Sequence, residues 1–124
     1  SKDFVLVDTR ATEEFDVSHL RSALLFDPES DSLEELAKPL SPNSEIVTYC
    51  SVGYRSSMIA EKLMNQGFSN VRSLRGGIFE WANSGYPIYR ESNGAEVVAG
   101  SVHPFDKKWG QLLDQRFHPQ VKIK

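Results

Sequence analysis

The sequence predicts an α/β fold, an open and mainly parallel sheet with helices on both faces. Three observations carry the prediction. Short β-rich runs alternate with helix-like stretches from residue 4 to residue 83. The first run, Phe4-Val5-Leu6-Val7, is continuously apolar, the pattern of a strand buried on both faces. The short spacings between runs imply right-handed crossovers, which make neighbouring strands parallel.

Each element follows from local signals. Asp8-Thr9-Arg10 ends the first strand, and Thr12 is placed to cap a short helix with Glu13 and Glu14 in its first turn. Ala23-Leu24-Leu25-Phe26 is a second strand, closed by Asp27-Pro28. Ser32-Leu33-Glu34-Glu35 fits a capping box, and its helix runs to Lys38, where Pro39 stops it. Glu45-Ile46-Val47-Thr48-Tyr49 is rich in β-branched and aromatic residues and reads as a buried strand. Residues 56–66 read as a helix, with Ile59 above Leu63 and Ala60 above Met64 on one face and Gly67 as the stop. Val71-Arg72-Ser73-Leu74 is a further strand, and Gly76-Gly77 turns into a short helix over 78–83, ended by Gly85 and Pro87. Beyond Ala95 the pattern weakens. Val97-Val98-Ala99 suggests an edge strand, and 108–115 a short helix with Trp109 and Leu112 on one side. Lys107, Lys108, Arg116, Lys122 and Lys124 make this tail mildly basic, as expected of a solvated docking segment.

The totals exclude several classes. At 124 residues, 40% hydrophobic and 25% charged, the composition is that of one globular domain. A net charge of -3 argues against nucleic-acid or acidic-membrane binding. No apolar run approaches the roughly 20 residues a bilayer requires. One cysteine makes no internal disulfide, and no leader is visible, so the expected compartment is the cytoplasm, with a targeting segment free to lie outside this sequence. His103 and His118 have no partner at metal-ligand spacing, so neither metal nor cofactor is expected.

That cysteine is the centre of the functional reading. Cys50 stands between the strand ending at Tyr49 and the helix over 56–66, at the base of a loop, Ser51-Val52-Gly53-Tyr54-Arg55. Curling backbone N–H groups and the positive end of the helix dipole stabilise a thiolate, or an anion attached to it. A lone cysteine is otherwise a small buried hydrophobe. The strand–loop–helix placement, with Gly53 and Arg55, favours chemistry. Ligands of open parallel sheets bind beyond the carboxyl ends of the strands. Asp8, Thr9 and Arg10, Cys50 and Arg55, and Arg75 are therefore expected at one edge, as a pocket with one sulfur and up to three guanidinium groups for a small anion. Arg10 also has Asp8, Glu13 and Glu14 within pairing distance in sequence and is read as structural.

Four blocks across residues 4–88 then resemble a known family, the single-domain rhodaneses, sulfurtransferases that carry sulfane sulfur on a cysteine. They are Val5-Leu6-Val7-Asp8-Thr9-Arg10 with Glu13-Glu14-Phe15; Ser18-His19-Leu20-Arg21-Ser22-Ala23; the loop Cys50-Ser51-Val52-Gly53-Tyr54-Arg55-Ser56; and Leu74-Arg75-Gly76-Gly77 with Trp81 and Gly85-Tyr86-Pro87. Ser18 and Ser22 stand where the family usually has glycine. The family's first strand and helix, which normally precede the Asp8 strand, are missing from this sequence. The resemblance implies a rhodanese-like domain over 1–94 and a C-terminal extension over 95–124 packed on it, a candidate cover for the sheet edge left open. His19 resembles a packing and hydrogen-bonding histidine.

The resemblance also implies a chemistry. Cys50 takes the outer sulfur of thiosulfate or a persulfide donor, then yields it to a thiophilic acceptor such as a thiol or protein thiol. Ser51, Val52, Gly53, Tyr54, Arg55 and Arg75 are the implied substrate-binding residues, with Asp8, Arg10 and Ser56 in support. Arg55 either braces the loop or holds donor oxygens, and Arg55→Ala is expected to weaken donor use more than stability. Tyr54, if exposed, shapes access for the acceptor. Tyrosine and dual-specificity phosphatases use a related loop but place five residues between cysteine and arginine, and here there are four. Phosphatase or arsenate reductase activity is the alternative enzyme reading. A rhodanese-like binding module is the non-enzymatic one, and such modules commonly lack the cysteine kept here.

Overall fold

A computed structural model describes residues 4–119, so Lys122 and Lys124 of the basic tail lie outside the described residues. Four strands form one parallel sheet: β1 (Phe4–Asp8), β2 (Leu24–Leu25), β3 (Glu45–Tyr49) and β4 (Val71–Ser73), in the order β2-β1-β3-β4. The expected fold class is what the chain adopts. The connecting helices are α1 (Thr12–Val17), α2 (Leu33–Ala37) and α3 (Tyr54–Asn65), with α4 (Gly77–Asn83) after β4.

Side-chain alternation along the strands divides the core in two. On one face Val7 and Ile46 meet Ile59 and Leu63 of α3, with Leu33 and Leu36 of α2 alongside. On the other, Tyr49 meets Ile78, Phe79 and Ala82 of α4. Both ends of α3 differ in detail from the sequence pattern. The helix begins at Tyr54, two residues earlier than expected, because Gly53 at φ 121 turns the chain directly into it. At α1 the cap is Ala11 rather than Thr12, since the Glu14 carboxylate reaches back to accept the Ala11 N–H at 3.0 Å. Ser32 caps α2 as the capping-box pattern predicts, accepting from the Glu35 N–H at 3.3 Å.

The region after Pro87 differs more. Tyr89–Ser92 (β5) and Ala95–Val98 (β6) form an antiparallel hairpin apart from the main sheet. Asn93 and Gly94 sit at its tip, both at positive φ, as a two-residue hairpin turn requires. Its first strand was not anticipated, although Asn-Gly is the strongest short-range signal for such a turn. Tyr89 exchanges two backbone hydrogen bonds with His19, at 2.7 and 2.8 Å, which docks the hairpin on the loop after α1. The helix expected over 108–115 is shorter, α5 (Lys107–Gly110), followed by a 3₁₀ turn at Gln115–Phe117. The tail pairs with neither edge strand among the described residues. Its apolar side chains take it elsewhere: Val102 and Leu113 are buried with Leu20, Tyr49, Ile78 and Ile88. Burying two such side chains contributes on the order of 3–6 kcal/mol.

The two serines at the family's glycine positions have different consequences. Ser18 has φ -170, extended backbone that any residue adopts. Ser22 has φ 62, in the left-handed region where a side chain is strained. Ser22→Gly is therefore expected to raise stability by about 0.5–1 kcal/mol, the strain relieved less the extra entropy of an unfolded glycine. A thermal midpoint a few degrees higher checks this. An unchanged or lower midpoint would show that the turn carries no strain.

Candidate functional site

Three layers build the Cys50 loop. The deepest is the Asp8–Arg10 pair, both residues fully buried where β1 ends. The Arg10 Nη2 donates to Asp8 Oδ2 at 2.7 Å, its Nε to Asp8 Oδ1 at 2.9 Å, and Nη2 again to the Ser18 carbonyl at 2.7 Å. Burial alone would lower the Arg10 pKa, but the Asp8 carboxylate holds it above its already high ordinary value. Tyr49, next to the cysteine, packs with its ring centroid 5.7 Å from the Arg10 guanidinium and accepts the Leu20 N–H at 3.0 Å. Burial and the nearby Asp8 charge push the Tyr49 phenol well above its ordinary value, so it stays neutral. This layer is a foundation beneath the loop.

The second layer holds the backbone of the loop. The Ile78 N–H donates to the Cys50 carbonyl at 2.9 Å and the Phe79 N–H to the Ser51 carbonyl at 3.1 Å. The first turn of α4 thus satisfies the carbonyls and leaves the amides to the sulfur side. Gly77 makes the approach possible, because a Cβ there would run into both carbonyl oxygens. Ser56 ties the other end, donating to the Gly53 carbonyl at 3.2 Å and meeting Ser73 Oγ at 2.7 Å. Thr48 Oγ1 donates to the Ser56 carbonyl at 2.9 Å, joining β3 to the start of α3.

The third layer is the sulfur and its rim. Cys50 is 1% exposed, and its Sγ accepts the Gly53 N–H at 3.0 Å. The N–H groups of Ser51, Val52, Tyr54 and Arg55 bond to no other group among the described residues. Those of Tyr54 and Arg55 belong to the unsatisfied first turn of the 12-residue α3. Such amides stabilise negative charge on or beyond the sulfur. Tyr54 is 72% exposed and stands at the rim.

Arg55 is a brace. Its fork closes on Glu14, Nη1 to Oε1 at 2.8 Å and Nη2 to Oε2 at 3.0 Å, and Nη2 also donates to Ser51 Oγ at 3.1 Å. The Ser51 hydroxyl donates in turn to Glu14 Oε2 at 3.2 Å. Glu14 is only 3% exposed. Burial pushes its pKa up, but the hydrogen bonds from Arg55 and Ala11 and the Arg55 charge bring it below the ordinary carboxylate value. Glu14 is the residue that sequence reasoning missed. Its sequence neighbourhood points to the helix dipole and to Arg10, whereas its ion-pair partner, Arg55, lies 41 residues away, beyond any local spacing.

The expected pocket with three guanidinium groups is not formed. Arg10 is sealed beneath the loop, Arg55 is engaged by Glu14, and Arg75 is exposed beside Glu80, Trp81 and Tyr86, where it lines a separate depression of about 270 Å³. The Gly76–Gly77 turn brings its backbone against the loop carbonyls of Cys50 and Ser51. A larger depression of about 710 Å³ lies on the tail between His103 and His118. No helix among the described residues is long and apolar enough to cross a membrane.

Comparison with known proteins follows the same lines. The chain is 33% identical over 88 residues to the adenylyltransferase and sulfurtransferase UBA4 of Candida albicans, covering 66% of this chain and 20% of that protein. It is 29% identical over 123 residues to the tRNA uridine(34) hydroxylase of Bacillus thuringiensis, covering 94% of this chain and 36% of that protein. The chain thus spans between a fifth and just over a third of the length of these relatives. Among solved structures, the rhodanese_3-like domain of an Anabaena protein superposes with a TM-score of 0.62 at 25% identity, covering 69% of this chain and 98% of that one. The model of the rhodanese-like domain matches residues 1–84, and with the parallel sheet and the Cys50 loop already described, the chain belongs to the rhodanese-like domain family.

Proposed function

We propose that this domain is a sulfurtransferase working through a Cys50 persulfide. The observation that carries the reading is the Gly53 N–H donated to Sγ at 3.0 Å, inside a loop of free amides at the start of α3. In the first step the Cys50 thiolate attacks the outer sulfur of thiosulfate or of a persulfide donor. A new S–S bond forms, the donor's S–S bond breaks, and sulfite (or a thiolate) leaves with the electron pair. In the second step an acceptor nucleophile, cyanide in an assay or a thiol in the cell, bonds to the outer sulfur and the Cys50 thiolate departs. The nucleophile is the only cysteine among these 124 residues, so the thiol that takes the sulfur comes from outside this sequence. One relative's name includes sulfurtransferase, which supports group transfer.

The phosphatase alternative asks the loop arginine to grip phosphate oxygens as a planar fork. Here that fork is closed on Glu14, which favours transfer of a single sulfur atom over a phosphoryl group. Intact mass of the protein tests the reading. Thiosulfate should add one sulfur to Cys50, and cyanide should remove it with release of thiocyanate. No uptake from thiosulfate or from a small persulfide, together with turnover of an aryl phosphate, would replace this reading with the phosphatase one.

A further inference from the structure

We infer that Phe105, in the tail beyond the family match, is a positioning residue for the Cys50 loop and acts through Arg55. The inference rests on the sulfurtransferase reading for its kinetic consequence, but its geometry stands alone. The Arg55 guanidinium carbon lies 4.7 Å from the centroid of the Phe105 ring. The ring covers a fork whose two terminal nitrogens already hold Glu14 and Ser51. A cation against an aromatic face is attracted to it, and the ring keeps water from competing for the guanidinium.

The backbone beneath the ring is what makes this more than a chance contact. Phe105 has φ 70, a genuine outlier for a bulky residue. The Asp106 N–H donates to the Pro104 carbonyl at 2.8 Å across it, a γ-turn of the rare positive-φ kind. The Phe105 N–H is itself held at 2.9 Å by Nδ1 of the buried His103. On one side Val102 is anchored in the core, its N–H donated to the Phe117 carbonyl at 2.8 Å. On the other, Asp106 caps α5 by accepting the Trp109 N–H at 2.8 Å. Strain of this kind persists only where the surroundings impose it. Core burial does not explain it, because Phe105 remains 43% exposed. What the strained turn achieves is a phenyl group set over Arg55. Arg55 in turn fixes Ser51, and Ser51 is the first residue of the loop around the sulfur. The tail thereby adds a hold on the loop through side chains, beside the backbone hold of α4.

Glycine separates the two roles of this position, because it accepts φ 70 without strain and removes the ring. Phe105→Gly is expected to retain the wild-type melting temperature within a few degrees while slowing single-turnover sulfur loading from thiosulfate about fivefold. Phe105→Tyr should restore the wild-type rate. In an Arg55→Lys background, where the charge remains but the planar fork is gone, Phe105→Gly should have no further effect. Wild-type loading by Phe105→Gly would overturn the inference, as would an equal loss in the Arg55→Lys background. A melting temperature lowered in Phe105→Gly in proportion to the lost rate would make the ring a core residue and also overturn it. A second readout needs no sulfur chemistry. The Arg55 Nε–H resonance should carry a ring-current shift that vanishes in Phe105→Gly, and its absence in the wild type would sink the placement. If the wild type loads no sulfur yet shows that shift, the functional reading fails and the positioning stands.

Discussion

Arg55→Ala is expected to lower stability by about 3 kcal/mol, because it strands the buried Glu14 carboxylate without its counter-ion. For a domain of this size that is a fall of roughly 10 °C in the thermal midpoint. The sequence-based expectation, that this variant weakens donor use more than stability, is therefore reversed by the geometry of the fork. The partner variant differs. Glu14→Gln leaves a part-exposed guanidinium that water can serve, so its cost should be smaller, on the order of 1–2 kcal/mol. The pH dependence follows from the direction of the shift. Folded Glu14 binds its proton less readily than unfolded Glu14, whose ordinary value is 4.5. Its stabilisation is thus fully present above that value and is lost as pH falls through the lower, folded one. In Arg55→Ala, burial without Arg55 reverses the shift, so the gap between variant and wild type should widen as pH rises from 4 to 7, roughly across the carboxylate range. Urea unfolding of the three proteins at several pH values measures all of this. A gap that is flat with pH would show that Glu14 is not the group stranded.

Cys50→Ser should reduce sulfur transfer roughly a thousand-fold or more while leaving the fold in place. A serine hydroxyl accepts the Gly53 N–H as the sulfur does, so the loop keeps its hydrogen bond and stability should change by about 1 kcal/mol or less. What disappears is a sulfur nucleophile that can take up a second sulfur and be regenerated from the persulfide. Steady-state thiocyanate production and unfolding curves on the same sample check the two halves. Residual turnover near the wild-type level would mean that Cys50 carries no sulfur.

The parallel sheet was legible because its strands announce themselves locally. Val5 and Val7 on one face and Leu6 on the other make a run that only a doubly covered strand explains, and the two core layers bear this out. The Ser32 cap was equally legible, since the whole interaction spans four residues. What stayed hidden depends on long-range meetings. Glu14 and Phe105 both end on Arg55, one from 41 residues before it and one from a tail without periodicity. The β5–β6 hairpin was hidden for another reason. Pro87 reads locally as an end, and it masks the Asn93-Gly94 turn signal that follows. Arg75 follows β4 at the expected edge but lines a separate depression, because sharing a sheet edge does not decide where a long side chain points.

Val102 and Leu113 lie well past residue 84, where the family match stops, yet they fill the same core as Tyr49 and Ile78. A fragment cut at that boundary would uncover Ile78 and Ala82, the residues that carry the backing helix of the loop, and would tend to self-associate. For this chain the segment that the family model matches is shorter than the segment that shares one core. Whatever is fused, tagged or recombined here has to respect the longer of the two.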